Sequence, residues 1–240
     1  MKSVRETRVQ AAKDSAGLSA NHIYRSVIQS LATVGTSGSI LDFGAGTGTL
    51  SEMLCREDCF HSVTAVDLVG FESAVFKHEK LKWTFADLNE PLPLPDASFD
   101  AIVAAEVIEH LENPRFVVRE LFRLVAPGGT VIITTPNNEA FRSFLSLAFR
   151  GHFIAFVDQC YPAHITALLR RDLERICREV GFENVEFTFT GHGAIPCFTK
   201  WTWQKVSFGL LDGVRFSDNL VCIARKPARK QSPPVANQPM

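Results

Sequence analysis

Ile40-Leu41-Asp42-Phe43-Gly44-Ala45-Gly46-Thr47-Gly48 runs an apolar stretch into a turn of three glycines, and Thr49–Arg56 follows with helical spacing. A strand that stops at glycines and restarts as a helix lets a ligand come close to the backbone at a helix N-terminus. The spacing separates two ligand classes. A dinucleotide turn reads Gly-x-Gly-x-x-Gly, whereas here the third glycine comes one position early. Asp42 separates them further, because a carboxylate just before the glycines opposes a pyrophosphate and favours the ammonium group of an amino acid. Like charges a few ångströms apart cost on the order of a few kcal/mol at intermediate dielectric. An oxidoreductase using a nicotinamide dinucleotide is disfavoured on both counts.

Outward from that turn the chain alternates. Before it, Ile23, Val27, Ile28 and Leu31 recur at helical spacing from Asn21 and stop at Gly35. After it, strands are predicted over Ser62–Val66, Lys82–Ala86, Phe99–Ala105, Thr130–Thr135, Val185–Thr188 and Leu220–Ala224. A helix opens at Asn113 and Pro114, buries Val117, Val118, Leu121, Leu124 and Val125, and is stopped by Pro127-Gly128-Gly129. Another covers about 168–180 and ends at Gly181. Strands alternating with helices mean a parallel sheet with right-handed crossovers, and the fully apolar Phe99–Ala105 asks for helices on both faces. The predicted fold is α/β, a Rossmann-like, doubly wound, seven-stranded sheet.

The chain has 240 residues, 46% of them hydrophobic, with a formal net charge of −1. That suffices for one large domain, predicted over 19–226, and carries no overall bias towards nucleic acid. Residues 1–18 are polar and unpatterned and read as a flexible lead-in, and residues 227–240 as a disordered tail holding Arg229 and Lys230. The N-terminus lacks the apolar core of a signal peptide, and no apolar run approaches the roughly 20 residues of a membrane span. Six cysteines with no Cys-x-x-Cys pair read as reduced thiols. A cytoplasmic protein is expected.

Acids close the second and third strands. Asp67 is placed to accept two ribose hydroxyls, and Asp87 the exocyclic amine of adenine, with Leu88 covering the ring. In open parallel sheets ligands sit at the carboxyl ends of the strands, where all of these residues fall. Together ILDFGAGTGTL, AVDL, FADLNEPLPLPDASFDAIVAAEVIEHL and LVAPGGTVIITTPN resemble the class I S-adenosylmethionine-dependent methyltransferases, over about Ile40 to Gly181. The resemblance implies S-adenosylmethionine as cofactor, with Asp42, Gly44, Gly46, Asp67, Asp87 and Leu88 at its binding positions. It also implies an antiparallel last strand, Leu220–Ala224, inserted beside its predecessor.

Glu106-Val107-Ile108-Glu109-His110 follows the fourth strand directly. Positions i, i+3 and i+4 of a helical turn face one way, so two carboxylates and an imidazole converge. The pattern is similar to that of the ubiquinone-biosynthesis O-methyltransferases and of the enzymes that methylate 2′-hydroxyls at RNA 3′ ends. The similarity implies a divalent ion, Mg²⁺ or another metal, on Glu106, Glu109, His110 and the distant His164. Without metal, His110 or His164 is the candidate general base, so Glu109, His110 and His164 are the catalytic candidates. Many members of the wider family carry a Glu-His pair here and bind no metal.

Residues 137–163 and 191–218 break the alternation and read as lid or acceptor insertions. Phe141, Phe144, Leu145, Leu147, Phe149, Phe153, Phe156 and Val157, with Trp201 and Trp203, fit an apolar wall for the acceptor, extra core or a homodimer face. A membrane-surface role lacks a visible basic face. The expected activity is O-methylation of a hydroxylated small molecule. The alternatives are RNA-terminal 2′-O-methylation, which the neutral charge disfavours, and a non-catalytic cofactor-binding subunit.

Overall fold

A computed structural model describes residues 3–15, 17–70 and 76–228. In chain order the elements are α1 (Val4–Asp14), α2 (Asn21–Val34), β1 (Gly38–Phe43), α3 (Thr49–Arg56), β2 (Phe60–Asp67), β3 (Leu81–Phe85), β4 (Phe99–Ala105), α4 (Pro114–Leu124) and β5 (Val125–Pro136). They continue with α5 (Phe141–Arg150), α6 (Arg170–Val180), β6 (Glu183–Phe189), β7 (Ala194–Ile195), β8 (Phe198–Thr202), α7 (Trp203–Val206) and β9 (Asn219–Arg225).

Seven strands form one sheet in the order β3-β2-β1-β4-β5-β9-β6, parallel except for β9, which pairs antiparallel with both β5 and β6. Side chains alternate across each strand and so feed two cores. On one face Ile40, Val63, Val103, Ile132 and Val221 meet Val27 and Leu31 of α2 and Leu50 and Leu54 of α3. On the other, Leu41, Val66, Ile102, Ile133 and Cys222 meet Val118 and Leu121 of α4 and Leu173 and Cys177 of α6. The helices begin and end for local reasons. The Asn113 side chain accepts the Phe116 N–H at 3.1 Å to cap α4, while left-handed glycines 35 and 181 end α2 and α6.

The strand order reverses between β1 and β4, because β2 and β3 extend to one side and the chain then crosses to the other. At such a switch point the loops after the two central strands diverge and leave a crevice. The glycine turn after β1 and Glu106 after β4 both fall there.

Two expectations change. Val4–Asp14 is a helix, not a loose lead-in, started by a capping box in which Glu6 N–H donates to Ser3 Oγ and Ser3 N–H to Glu6 Oε2. It was hidden because this helix buries no residue and so shows no apolar stripe. Helix α4 stops at Leu124, and β5 begins at Val125, ahead of Pro127-Gly128-Gly129. Lys226 is tied to the domain, its Nζ donating to the carbonyls of Phe122 and Val125 at 2.6 and 2.8 Å. The tail predicted over 227–240 lies, from residue 229 on, outside the described residues. All six cysteines are free.

Candidate active site

A cavity of about 530 Å³ opens at the switch point. Its floor is the glycine turn. Gly46 has φ +53°, and a Cβ on it would lie 2.2 Å from the Gly17 carbonyl oxygen, so only glycine lets the segment before α2 cross the turn this closely. Thr47 N–H donates to the same oxygen at 3.0 Å. Asp42, at the end of β1, is buried and takes the Ser51 hydroxyl at 2.6 Å. Burial pushes its carboxyl up to about 7. Asp67, at the end of β2, accepts Gly46 N–H at 2.8 Å, and burial raises its carboxyl too. Asp87 and the buried Leu88 follow β3 and line the same cavity. All six predicted cofactor residues are thus brought to one cavity.

The opposite wall is α1, through Thr7, Arg8, Ala11 and Ala12. Arg8 donates to Asp87 at 3.0 Å, to Glu90 at 3.0 Å, and in bidentate fashion to Glu112 at 3.0 and 2.8 Å. The residue pattern did not reveal this wall. The Ser3-x-x-Glu6 capping box was the one signal that would have found it.

At the far end lie the acids and histidines after β4. Glu109, His110 and His164 each offer a ligand atom, all within 4.8 Å of one another. The two imidazole rings meet edge to face with centroids 4.7 Å apart. His110 Nδ1 is 2.8 Å from the Ala163 carbonyl oxygen and His164 Nδ1 is 2.6 Å from that of Ala155. Each Nδ1 therefore carries the proton and donates, leaving Nε2 as the free ring nitrogen. Burial, with His164 adjacent, brings His110 down to about 4, and burial lowers His164 as well. Glu109 is fully buried. Its Oε2 takes the Thr135 hydroxyl at 3.1 Å, while Oε1 has no hydrogen-bond partner among the described residues. Burial and then the charge of Glu106 hold its carboxyl well above the usual range. Phe156 backs His164 with ring centroids 5.6 Å apart.

Glu106 stands outside this cluster, contrary to the expected four-ligand set. Its Oε1 accepts the Thr134 hydroxyl and its Oε2 the Asn219 amide, both at 2.8 Å. The physical reason is the backbone. Glu106 sits at φ +55° and residues Ile108–His110 form a 3₁₀ turn, so the one-face projection of an α-helical turn does not apply. The insertion over 137–163 reaches the two cavities through Ile154, Ala155, Tyr161 and Pro162, but not through most of its aromatics. Phe141, Phe144, Leu147 and Phe149 line neither cavity of the site and stand outward, because α5 turns Ser143 and Ser146 in. A smaller cavity of about 250 Å³, sharing Glu106 and His164 with the first, is lined by polar groups that include Arg142 of α5, Asn219 of β9 and Asp218 just before it.

The methyltransferase-domain model matches residues 19–187, which include the glycine turn, the three aspartates and the histidine cluster. The chain belongs to the methyltransferase-domain family. The mitochondrial ubiquinone biosynthesis O-methyltransferase of Rattus norvegicus is 32% identical to this methyltransferase domain over 175 residues, covering 69% of this chain and 50% of the rat protein. A SAM-dependent methyltransferase from Archaeoglobus fulgidus shares the fold at a TM-score of 0.57 and 20% identity, over 85% of this chain and 94% of that one. Haemonchus contortus phosphoethanolamine N-methyltransferase 2, solved with S-adenosyl-L-methionine, does so at 0.58 and 20%, over 80% of this chain and 49% of that one. The methyltransferase domain spans between 50% and 61% of the length of the first curated relatives it matches. No helix among its described residues is long and apolar enough to cross a membrane.

Proposed function

We propose that this chain transfers the methyl group of S-adenosylmethionine to a hydroxyl oxygen of a small molecule, with a divalent cation held by Glu109, His110 and His164. The observation that carries the reading is the pairing of two Nδ1-anchored imidazoles with an unpartnered, buried carboxylate oxygen. A ring N–H tied to a backbone carbonyl is the usual support of a metal-binding histidine, and a buried carboxylate lacking a partner asks for a cation. Two nitrogens and one oxygen suit Mn²⁺ or Zn²⁺ as well as Mg²⁺. The likeness to an O-methyltransferase at 32% identity supports oxygen as the acceptor atom.

In this reading Asp42 meets the cofactor's ammonium group, Asp67 its ribose hydroxyls and Asp87 its adenine amine, with Leu88 against the ring and Gly44 and Gly46 giving backbone access. The acceptor oxygen attacks the methyl carbon, the new O–C bond forms as the C–S bond breaks, and the electron pair stays on sulfur. The sulfonium is already activated, so the protein aligns the two reactants, worth roughly 7–11 kcal/mol, and the hydroxyl proton leaves to solvent water. A bound divalent cation supplies orientation of the acceptor oxygen and lowers its pKa. His110 and His164, kept unprotonated at neutral pH by burial, present the lone pairs that the site needs.

The test is methyl transfer from labelled S-adenosylmethionine to a panel of catechols and vicinal diols, before and after chelation and with Mn²⁺ restored. Loss on chelation and recovery with Mn²⁺ are expected. Full activity in chelated protein removes the cation and leaves a histidine base; no uptake of the cofactor by calorimetry sinks the whole reading.

A further inference from the structure

The smaller cavity, about 250 Å³, holds none of the cofactor residues but shares Glu106 and His164 with the larger one. A molecule seated in it therefore reaches the histidine cluster. Drug-sized pockets run to roughly 300–1,000 Å³ and are walled chiefly by apolar and aromatic side chains. This one is a ring-sized space with the opposite lining. Among the described residues no Phe, Tyr or Trp reaches it, and Pro136, Ile154 and Ala155 are its apolar part. A catechol or a prenylated ring gains affinity mostly by burying flat apolar area, for which this wall offers little.

The polar wall has hydrogen-bonding capacity left over in both directions. Arg142 gives Nη1 to Asp218 Oδ2 at 3.1 Å, and its Nε and Nη2 meet no acceptor among the described residues. The Ser143 hydroxyl accepts Ile154 N–H at 3.3 Å and keeps its own proton to give. On the accepting side, Asp218 takes Ala194 N–H on the same Oδ2, which leaves Oδ1. Buried Asn138 donates Nδ2 to the Leu168 carbonyl at 2.9 Å, and its Oδ1 has no partner among the described residues. A hydroxyl both donates and accepts, and so satisfies both kinds of group.

Charge narrows the occupant further. The ionisable lining residues are Glu106, Arg142, His164 and Asp218. Arg142 is already paired with Asp218, and Glu106 adds an acid, so no cation is left over for a carboxylate or for a ribose carried on phosphate. An ammonium fares no better on the donor side, since it cannot accept from Arg142 or Ser143. On the methyl-transfer reading above, we infer that the acceptor is a neutral, polyhydroxylated ring of single-sugar size. Arg142, Ser143, Asn138 and Asp218 hold its hydroxyls, and one hydroxyl faces the edge shared with Glu106 and His164.

Saturation-transfer NMR on the full chain loaded with S-adenosylhomocysteine tests this without turnover. The probes are the methyl glycosides of glucose, galactose and mannose, with catechol and ribose phosphate as rivals. Saturation of at least one glycoside, and of neither rival, is expected. Arg142→Gln should weaken it roughly tenfold, the loss of one charge-assisted hydrogen bond. Ala155→Leu, which adds side-chain volume inside so small a cavity, should abolish it. Both variants should take up S-adenosylhomocysteine like the parent, because neither residue lines the larger cavity. Silence of all three glycosides overturns the inference, as do saturation of a rival alone and glycoside binding that neither variant weakens. Methylation of catechol with no glycoside bound removes this acceptor class and leaves the transfer reading intact. A chain that takes up no S-adenosylhomocysteine removes both.

Discussion

Arg8 Nη1 donates to Asp87 Oδ2 at 3.0 Å, joining the N-terminal helix to the loop after β3 at the wall of the large cavity. The same guanidinium also holds Glu112 bidentately, and its side chain is only 16% exposed, so the pair is far better ordered than a typical surface ion pair. Helix α1 has no buried residue of its own, which makes Arg8 its main anchor.

Arg8→Gln should therefore loosen α1 and weaken cofactor binding by about five- to tenfold, an effect of the size of one or two charge-assisted hydrogen bonds after screening. The parent's affinity should fall with added salt and the variant's should not. Titration calorimetry with S-adenosylhomocysteine across a salt series checks it; unchanged affinity in Arg8→Gln would show that α1 is not part of the binding wall.

Asp42 sets a pH dependence. Burial raises its carboxyl from 3.8 to about 7, so the folded protein holds a proton there that the unfolded chain releases. Its contribution to stability is complete below 3.8 and is lost as pH rises through about 7. Binding of an ammonium group runs the other way, since it needs the carboxylate. Cofactor affinity should rise between about pH 6 and about pH 8, with proton release on binding, and Asp42→Asn should bind weakly with a flat profile. Affinity that falls over this window would contradict the assignment.

For the cation, calorimetry with Mn²⁺ on the purified chain discriminates ligands from neighbours. Glu109→Ala and His164→Ala should lose binding by at least about a hundredfold, and Glu106→Gln, whose parent oxygens are already occupied by Thr134 and Asn219, should retain it within a few-fold. Equal losses in all three would return Glu106 to the ligand set.

Two glycines separate steric from conformational cost. Gly46→Ala must displace the Gly17 backbone and should lower stability by about 2–4 kcal/mol. Gly35, at φ +73° with nothing near its missing Cβ, should cost only about 1 kcal/mol as alanine. Chemical denaturation of both variants checks the difference, and equal losses would deny the close crossing over the glycine turn.

The sheet and its helices were legible in the residues because their pattern has a period. Thr49–Arg56 and Phe99–Ala105 have the predicted bounds, and the glycines and aspartates at strand ends were placed by the same alternation. Elements that bury no core left no such trace. Helix α1 lines the open cavity and has no buried residue, and α5 turns serines inward, so hydrophobic periodicity could neither find the first nor orient the second.

What the sequence by itself determined is the α/β architecture and the family, since both follow from apolar period and from residues adjacent in the chain. The tertiary structure alone decided which acid joins the two histidines and which wall closes the cavity. Glu106 and Glu109 differ by a single turn of backbone and by partners, Thr134, Asn219 and Thr135, that come from other strands. Such long-range hydrogen bonds depend on strand register, which local spacing does not encode.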